Sequence, residues 1–176
     1  MRVKAERIEK YEVLALVLVL TASLLTVNAY GYKLDIGQGN QGQEWSVTLD
    51  AEDLISEGAL VNKVTSDSDQ VLLSVNPQND SSNWKVTVKR EDDNWPSGLK
   101  LYIKRTGSGN GQGSLAGGLD SYFLVETTEK VFFTGESQGM NNIPVQFQLK
   151  GLGAVLSMQN FSTDISTKLL YTVTKN

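Results

Sequence analysis

The chain of 176 residues contains no cysteine and no histidine. Without thiols it has no disulfides, so a domain working in an oxidising compartment must be held by packing or by partner subunits. Together the two absences exclude Ser-His-Asp and Cys-His nucleophilic arrangements, imidazole and thiolate zinc sites, and the side chain that most readily moves protons near neutral pH. Carboxylates, lysines and tyrosines are what remain for acid-base work. A glycosidase needs two carboxylates at a set separation, which a sequence does not give, and no pair stands out. The chain is therefore not expected to be an enzyme, nor to carry a catalytic residue, a resident metal or a cofactor.

What is present begins with an address. Arg2, Lys4, Arg7 and Lys10 form a basic leader, and residues 13–27 run without a charge, a proline or a glycine. Val27-Asn28-Ala29 then places small residues where a signal peptidase reads, so residues 1–29 are expected to be a signal peptide cut before Tyr30. A competing reading stretches residues 11–30 into an uncleaved anchor, but the apolar core is short beside the roughly 20 residues of a membrane span. Pilin-type processing favours Gly or Ala after the basic stretch, where Lys10-Tyr11-Glu12 stands instead. The mature protein is expected outside the cell or on its surface, touching membrane only through the leader.

Removing the leader leaves 147 residues, enough for one domain with its own core. The leader holds four of the 16 basic and three of the 20 acidic residues, which leaves 12 against 17, a formal charge of −5. That balance argues against nucleic acid as a partner, because binding it needs a basic face that displaces counterions.

Along the mature chain apolar and polar residues alternate with a period of two, carried by β-branched and aromatic side chains. Residues 45–49, 84–89, 99–104 and 145–150 show this most clearly, and further strands are expected at 59–65, 71–76, 122–126, 131–134 and 165–174. Asp, Asn, Ser, Pro and Gly cluster between them, as at Asp67-Ser68-Asp69 and Asn76-Pro77-Gln78-Asn79-Asp80. About nine short strands with no helical repeat predict an all-β, antiparallel β-sandwich, jelly-roll or Ig-like, preceded by the signal peptide. Residues 51–57 could supply one helical turn.

Two stretches depart from the strand composition. Residues 106–118 hold six glycines and read as a mobile hairpin connection; a phosphate cradle would need a P-loop pattern that is absent. Residues 37–43, Gly-Gln-Gly-Asn-Gln-Gly-Gln, form a polar hinge. Just before it, Tyr30, Tyr32, Leu34 and Ile36 belong to a strand at the new N-terminus whose apolar residues alternate with Lys33 and Asp35. Residues 30–44 are thus read as an N-terminal strand and linker, and 45–176 as the sandwich. Such a strand can pair with its own sheet or with an open edge on the next copy.

Signal peptide, alternating N-terminal strand and compact cysteine-free sandwich resemble, in organisation, the secreted filament subunits of the TasA/camelysin type and the archaeal bundling pili. The resemblance implies donor-strand complementation: the segment from Tyr30 to Ile36 would complete the sandwich of a neighbouring copy. The expected function is a structural subunit of an extracellular filament or surface assembly, with copies of itself as partners. The alternative is a secreted carbohydrate-binding module. Trp45 and Trp84 continue the alternation of their strands and should face inward, which leaves Trp95, in a turn, as the platform for a glycan. Asp67/Asp69 and Glu91/Asp92/Asp93 could ligate calcium, although aspartate is also a favoured turn residue and neither cluster has EF-hand spacing. Asn79 and Asn160 satisfy the N-glycosylation pattern.

Overall fold

The computed structural model describes residues 16–22, 32–38, 44–49, 62–78, 82–93, 95–152 and 165–176. The cleavage site around Ala29, Tyr30, the linker at 39–43, the expected helical turn at 51–57, Asn79 and Asn160 lie outside these residues. What is described is mostly strand, with almost no helix.

Six strands, β1 (Leu16–Ala22), β3 (Glu44–Leu49), β6 (Trp84–Asp93), β9 (Leu115–Ala116), β11 (Lys130–Gly135) and β13 (Ile165–Lys175), form one sheet in the order β3-β1-β13-β6-β11-β9. The second sheet is built from β2 (Tyr32–Gln38), β5 (Val71–Pro77), β7 (Lys100–Arg105), β10 (Phe123–Leu124) and β12 (Met140–Lys150), in the order β10-β7-β12-β5-β2. The short β4 (Lys63–Thr65) and β8 (Asn110–Gly111) also pair with β12. All described pairings are antiparallel except that of β1 with β13.

Alternation places the core. Val71, Leu73 and Val75 of β5 are completely buried and Leu72, Ser74 and Asn76 between them are not. The same pattern puts Trp84, Val86 and Val88 of β6, and Ile165, Leu169, Tyr171 and Val173 of β13, into one cluster with Leu101, Ile103, Ile143, Val145, Phe147 and Leu149 of the other sheet. Trp45 of the first sheet meets Phe147 of the second at 5.9 Å between ring centroids. A register shift between Val131 and Phe133 lets consecutive Phe132 and Phe133 both be buried, while Val131 is left 48% exposed.

One sequence expectation takes a different form. Over Leu16–Ala22, the apolar run read as the core of the leader is strand β1, antiparallel to β3 (Leu18↔Val47, Leu20↔Trp45) and parallel to β13 (Leu18↔Ile165, Ala22↔Leu169). A short unbroken run of Leu and Val fits a strand with neighbours on both sides as well as it fits a signal core, and periodicity alone does not separate the two. Among the described residues no helix is long and apolar enough to cross a membrane.

Trp84 sets the tightest packing. Its indole NH donates to the Gln138 carbonyl at 3.3 Å and its ring lies edge-on to Phe133, over Gly135. A Cβ at Gly135 would overlap the Trp84 ring. Gly135→Ala is therefore expected to destabilise the domain by about 1–3 kcal/mol through overpacking. Urea denaturation reads this as a lower midpoint; an unchanged midpoint would show that the indole has room to shift.

Tyr171 is a second point of tension. Its phenol is buried and its hydroxyl has no hydrogen-bond partner among the described residues. Burial raises its pKa from the ordinary 10.0, since the ionised form would lose its water. The folded chain then keeps a proton that the unfolded chain releases, so this contribution is full below the unfolded value and is lost as pH climbs above it. Tyr171→Phe should be neutral or stabilising by up to about 1–2 kcal/mol at pH 7, because an unsatisfied hydroxyl disappears. It should also lose less stability than the parent between about pH 9 and about pH 11. Equal alkaline losses in the two proteins, followed by thermal melts, would count against the assignment.

Candidate assembly interface

The expected donor strand is β2, and the structure seats it at the edge of the second sheet, antiparallel to its own β5 from Tyr32↔Pro77 to Gln38↔Val71. Tyr32, Leu34 and Ile36 are buried in the core of the same chain. The Tyr32 hydroxyl donates to the Ser82 carbonyl at 2.9 Å. On the outer face Lys33 and Asp35 pair at 2.9 Å. A charged outer face blunts an edge strand against indiscriminate pairing. Among the described residues β2 hydrogen-bonds as a ladder with β5 alone.

The other terminal segment has two ladders. β1 lies between β3 and β13, and β3 has no other ladder partner among the described residues. Trp45 and Val47 fasten β3 to the core by their side chains, and the Gln70 side-chain amide donates to the Glu44 carbonyl at 3.2 Å. The recess beside them, about 250 Å³ and lined by Glu44, Trp45, Thr65, Asp67 and Gln70, is shallow and polar.

The glycine-rich stretch is a pinned crossover, contrary to the mobile hairpin expected from its composition. It leaves β7 in the second sheet, adds β8 to β12, and enters the first sheet as β9. Arg105, 1% exposed, holds both ends: Nε donates to the Gly117 carbonyl at 2.8 Å, Nη2 to the same carbonyl, and Nη1 to the Gly107 carbonyl at 3.2 Å. Its guanidinium also lies 5.2 Å from the Phe133 ring centroid. Burial lowers the Arg105 pKa, and the nearby Asp120 carboxylate opposes that shift. The loop thus turns carbonyls toward an internal cation, which is the opposite polarity from an anion cradle. Gly117 and Gly118 take positive φ, 83° and 72°, where a side chain would be strained.

Trp95 is half-buried and packs against the core. Its indole NH donates to the Leu99 carbonyl at 2.8 Å, and the Arg90 guanidinium covers its ring at 4.9 Å from the centroid. Trp45 and Trp84 are buried, as their alternation predicts. Of the acidic clusters, Glu91 pairs with Lys89 at 3.4 Å, and Asp92 pairs with Arg90 and accepts from the Thr167 hydroxyl at 3.1 Å. Among the described residues no three acidic side chains converge as a metal site would require. Sequence reasoning did not single out Arg105; a lone arginine ending an alternating strand just before a glycine-rich run is the signal that was there to use.

Arg105→Met should lower stability by about 1–3 kcal/mol, because the charge-assisted bonds that tie Gly107 and Gly117 together are lost. Arg105→Lys should fail to restore it, since an ammonium lacks the fork that reaches both carbonyls. Midpoints in urea compare the three proteins, and full rescue by lysine would mean that charge alone secures the loop. Comparison of the chain with models of known families, with characterised proteins and with solved structures finds no match to any of them.

Proposed function

We propose that the protein is a secreted structural subunit of an extracellular filament or surface assembly, a β-sandwich whose N-terminal segment from Tyr30 is exchanged between copies after the leader is cut. The observation that carries this reading is the seat of β2. Among the described residues it is an edge strand with one ladder neighbour, its apolar face completes a core, and residues 39–43 link it to the strand that follows. Exchange of such a strand re-forms its side-chain burial in another copy, so a domain swap costs little. The cysteine-free composition fits, because subunits joined this way need no covalent link.

The glycan-binding alternative has less behind it, since the ring it rests on, Trp95, is capped by Arg90 and tied to Leu99.

Deleting residues 30–36 would strip Tyr32, Leu34 and Ile36 from the core, so a cross-link is the cleaner test. Lys33 and Asn76 are register partners at home, in a chain with no cysteine of its own. Electron microscopy of the mature protein should show filaments. In those filaments the Lys33→Cys/Asn76→Cys variant should not close a disulfide within one chain. Filaments whose chains each carry that internal link would sink the strand-exchange mechanism, and a mature protein that stays monomeric at high concentration would sink the filament reading.

A further inference from the structure

The first sheet is continuous only while residues 16–22 remain in it. β3 reaches β13 through β1 and has no other ladder among the described residues. Yet these residues belong to the expected leader, which the proposed function removes. Cleavage before Tyr30 would leave a lane one strand wide, walled by the main chain of β3 on one side and by residues 165–169 of β13 on the other. Resting on that reading, we infer that this lane is the acceptor site of the assembly: the leader fills it before processing, and the N-terminal strand Tyr32–Gln38 of a second copy fills it afterwards.

Three features of the fold support the match. First, β13 walls the lane over five levels, 18–22, and the alternating segment Tyr32–Ile36 spans five residues. Second, the walls prescribe a pattern. The levels of Leu18, Leu20 and Ala22 stand beside buried residues: Val47 and Ile165, Trp45 and Thr167, then Leu169. The levels of Val19 and Thr21 stand beside Ser46 and Ser166, then Glu44 and Lys168, which are exposed or half-buried. Tyr32, Leu34 and Ile36 repeat the first spacing, and Lys33 and Asp35 repeat the second. A strand slipped by one residue would put its charges against the core, so the alternation fixes which face turns inward.

Third, the two seats are unequal. On β5 the strand has a ladder along one side, and in the lane it has one along each side. When β2 leaves β5, β5 becomes an ordinary sheet edge. When the lane stands empty, β3 loses its only described ladder and its backbone donors and acceptors lose their partners. A mature subunit has two seats and one strand for them, and the lane is the costlier one to leave open. The leader is then a placeholder as well as an address, and its removal creates the demand for a strand.

The decisive experiment places Lys33→Cys and Ser46→Cys together in the full-length chain, secretes and matures it, and oxidises the polymer. In the proposed register Lys33 takes the level of Val19, the partner of Ser46. The expected result is loss of the monomer band on a non-reducing gel, replaced by a ladder of covalent multimers that reductant collapses, with filaments in the same sample. A disulfide that joins the two introduced thiols within one chain overturns the inference, because the lane is then filled at home by a hairpin. Filaments in which the thiols at positions 33 and 46 stay unlinked overturn the acceptor site and leave strand exchange standing. Peptide mapping that finds residues 16–22 retained in the polymer overturns it too, since the lane is never vacated. If no polymer forms, the filament reading itself falls, and the inference with it.

Discussion

Eleven residues, Met140–Lys150, hold the second sheet together. β8 and β7 meet β12 in succession, and so do β5 and β4, while among the described residues β2 and β10 join the sheet by ladders with β5 and β7. One strand serves four neighbours because it is long and bent. The bend is a register shift between Met140 and Ile143, with Asn142 at φ 55°, a conformation that asparagine tolerates better than most residues. Pro144 follows the bend, which is where a strand accommodates a residue without an NH, and its carbonyl accepts from the Thr106 NH at 3.0 Å. From there Val145, Phe147 and Leu149 carry the core face with Ile143, all of them buried.

The first sheet is organised differently. Its firmest seam joins β6 and β13 over ten register pairs, from Ser166↔Asp93 to Lys175↔Trp84, with Val86, Val88, Tyr171 and Val173 turned into the core. On one flank β11 brings Phe132 and Phe133, which meet Trp84 of β6 and Phe123 of β10. On the other flank the continuity of the sheet depends on the chain's own terminal segment. A fold without disulfides thus has a robust middle in the ten-pair β6–β13 seam. Local opening begins at least cost in edge strands that, among the described residues, are laddered along one side, such as β9 and β10 with two register pairs each.

Much of this was legible in the sequence. Trp84, Val86 and Val88 alternate with polar residues and form a buried face, and residues 165–174 were legible as a strand, although Leu170 is buried along with Leu169 and Tyr171. The same rule failed where chemistry interrupts it. β12 was expected only over residues 145–150, where the alternation is clear, whereas a bulge ahead of Pro144 lets the strand start at Met140. Residues 122–126 shrink to the two-residue β10, since the pairing partner on β7 extends only over Tyr102 and Ile103. The apolar run at residues 16–22 has no period at all, so nothing local distinguishes a leader core from a strand. For the interface, the alternation of Tyr32, Leu34 and Ile36 was visible, but the sheet that receives them depends on contacts far along the chain, at residues 71–77. Trp95 looked like an open ring because Arg90, five residues earlier, gives no sign in sequence that it will lie over it.

The tether at Arg105 bears on the environment such a protein could meet. Its acceptors are the carbonyls of Gly107 and Gly117, so no mobile counter-charge completes the attachment. Exposed ion pairs such as Lys33–Asp35 weaken as dissolved salt shortens the reach of charge, but a sequestered cation bonded to peptide dipoles is screened far less. The loop that crosses between the two sheets is therefore tied down by contacts that depend little on ionic strength.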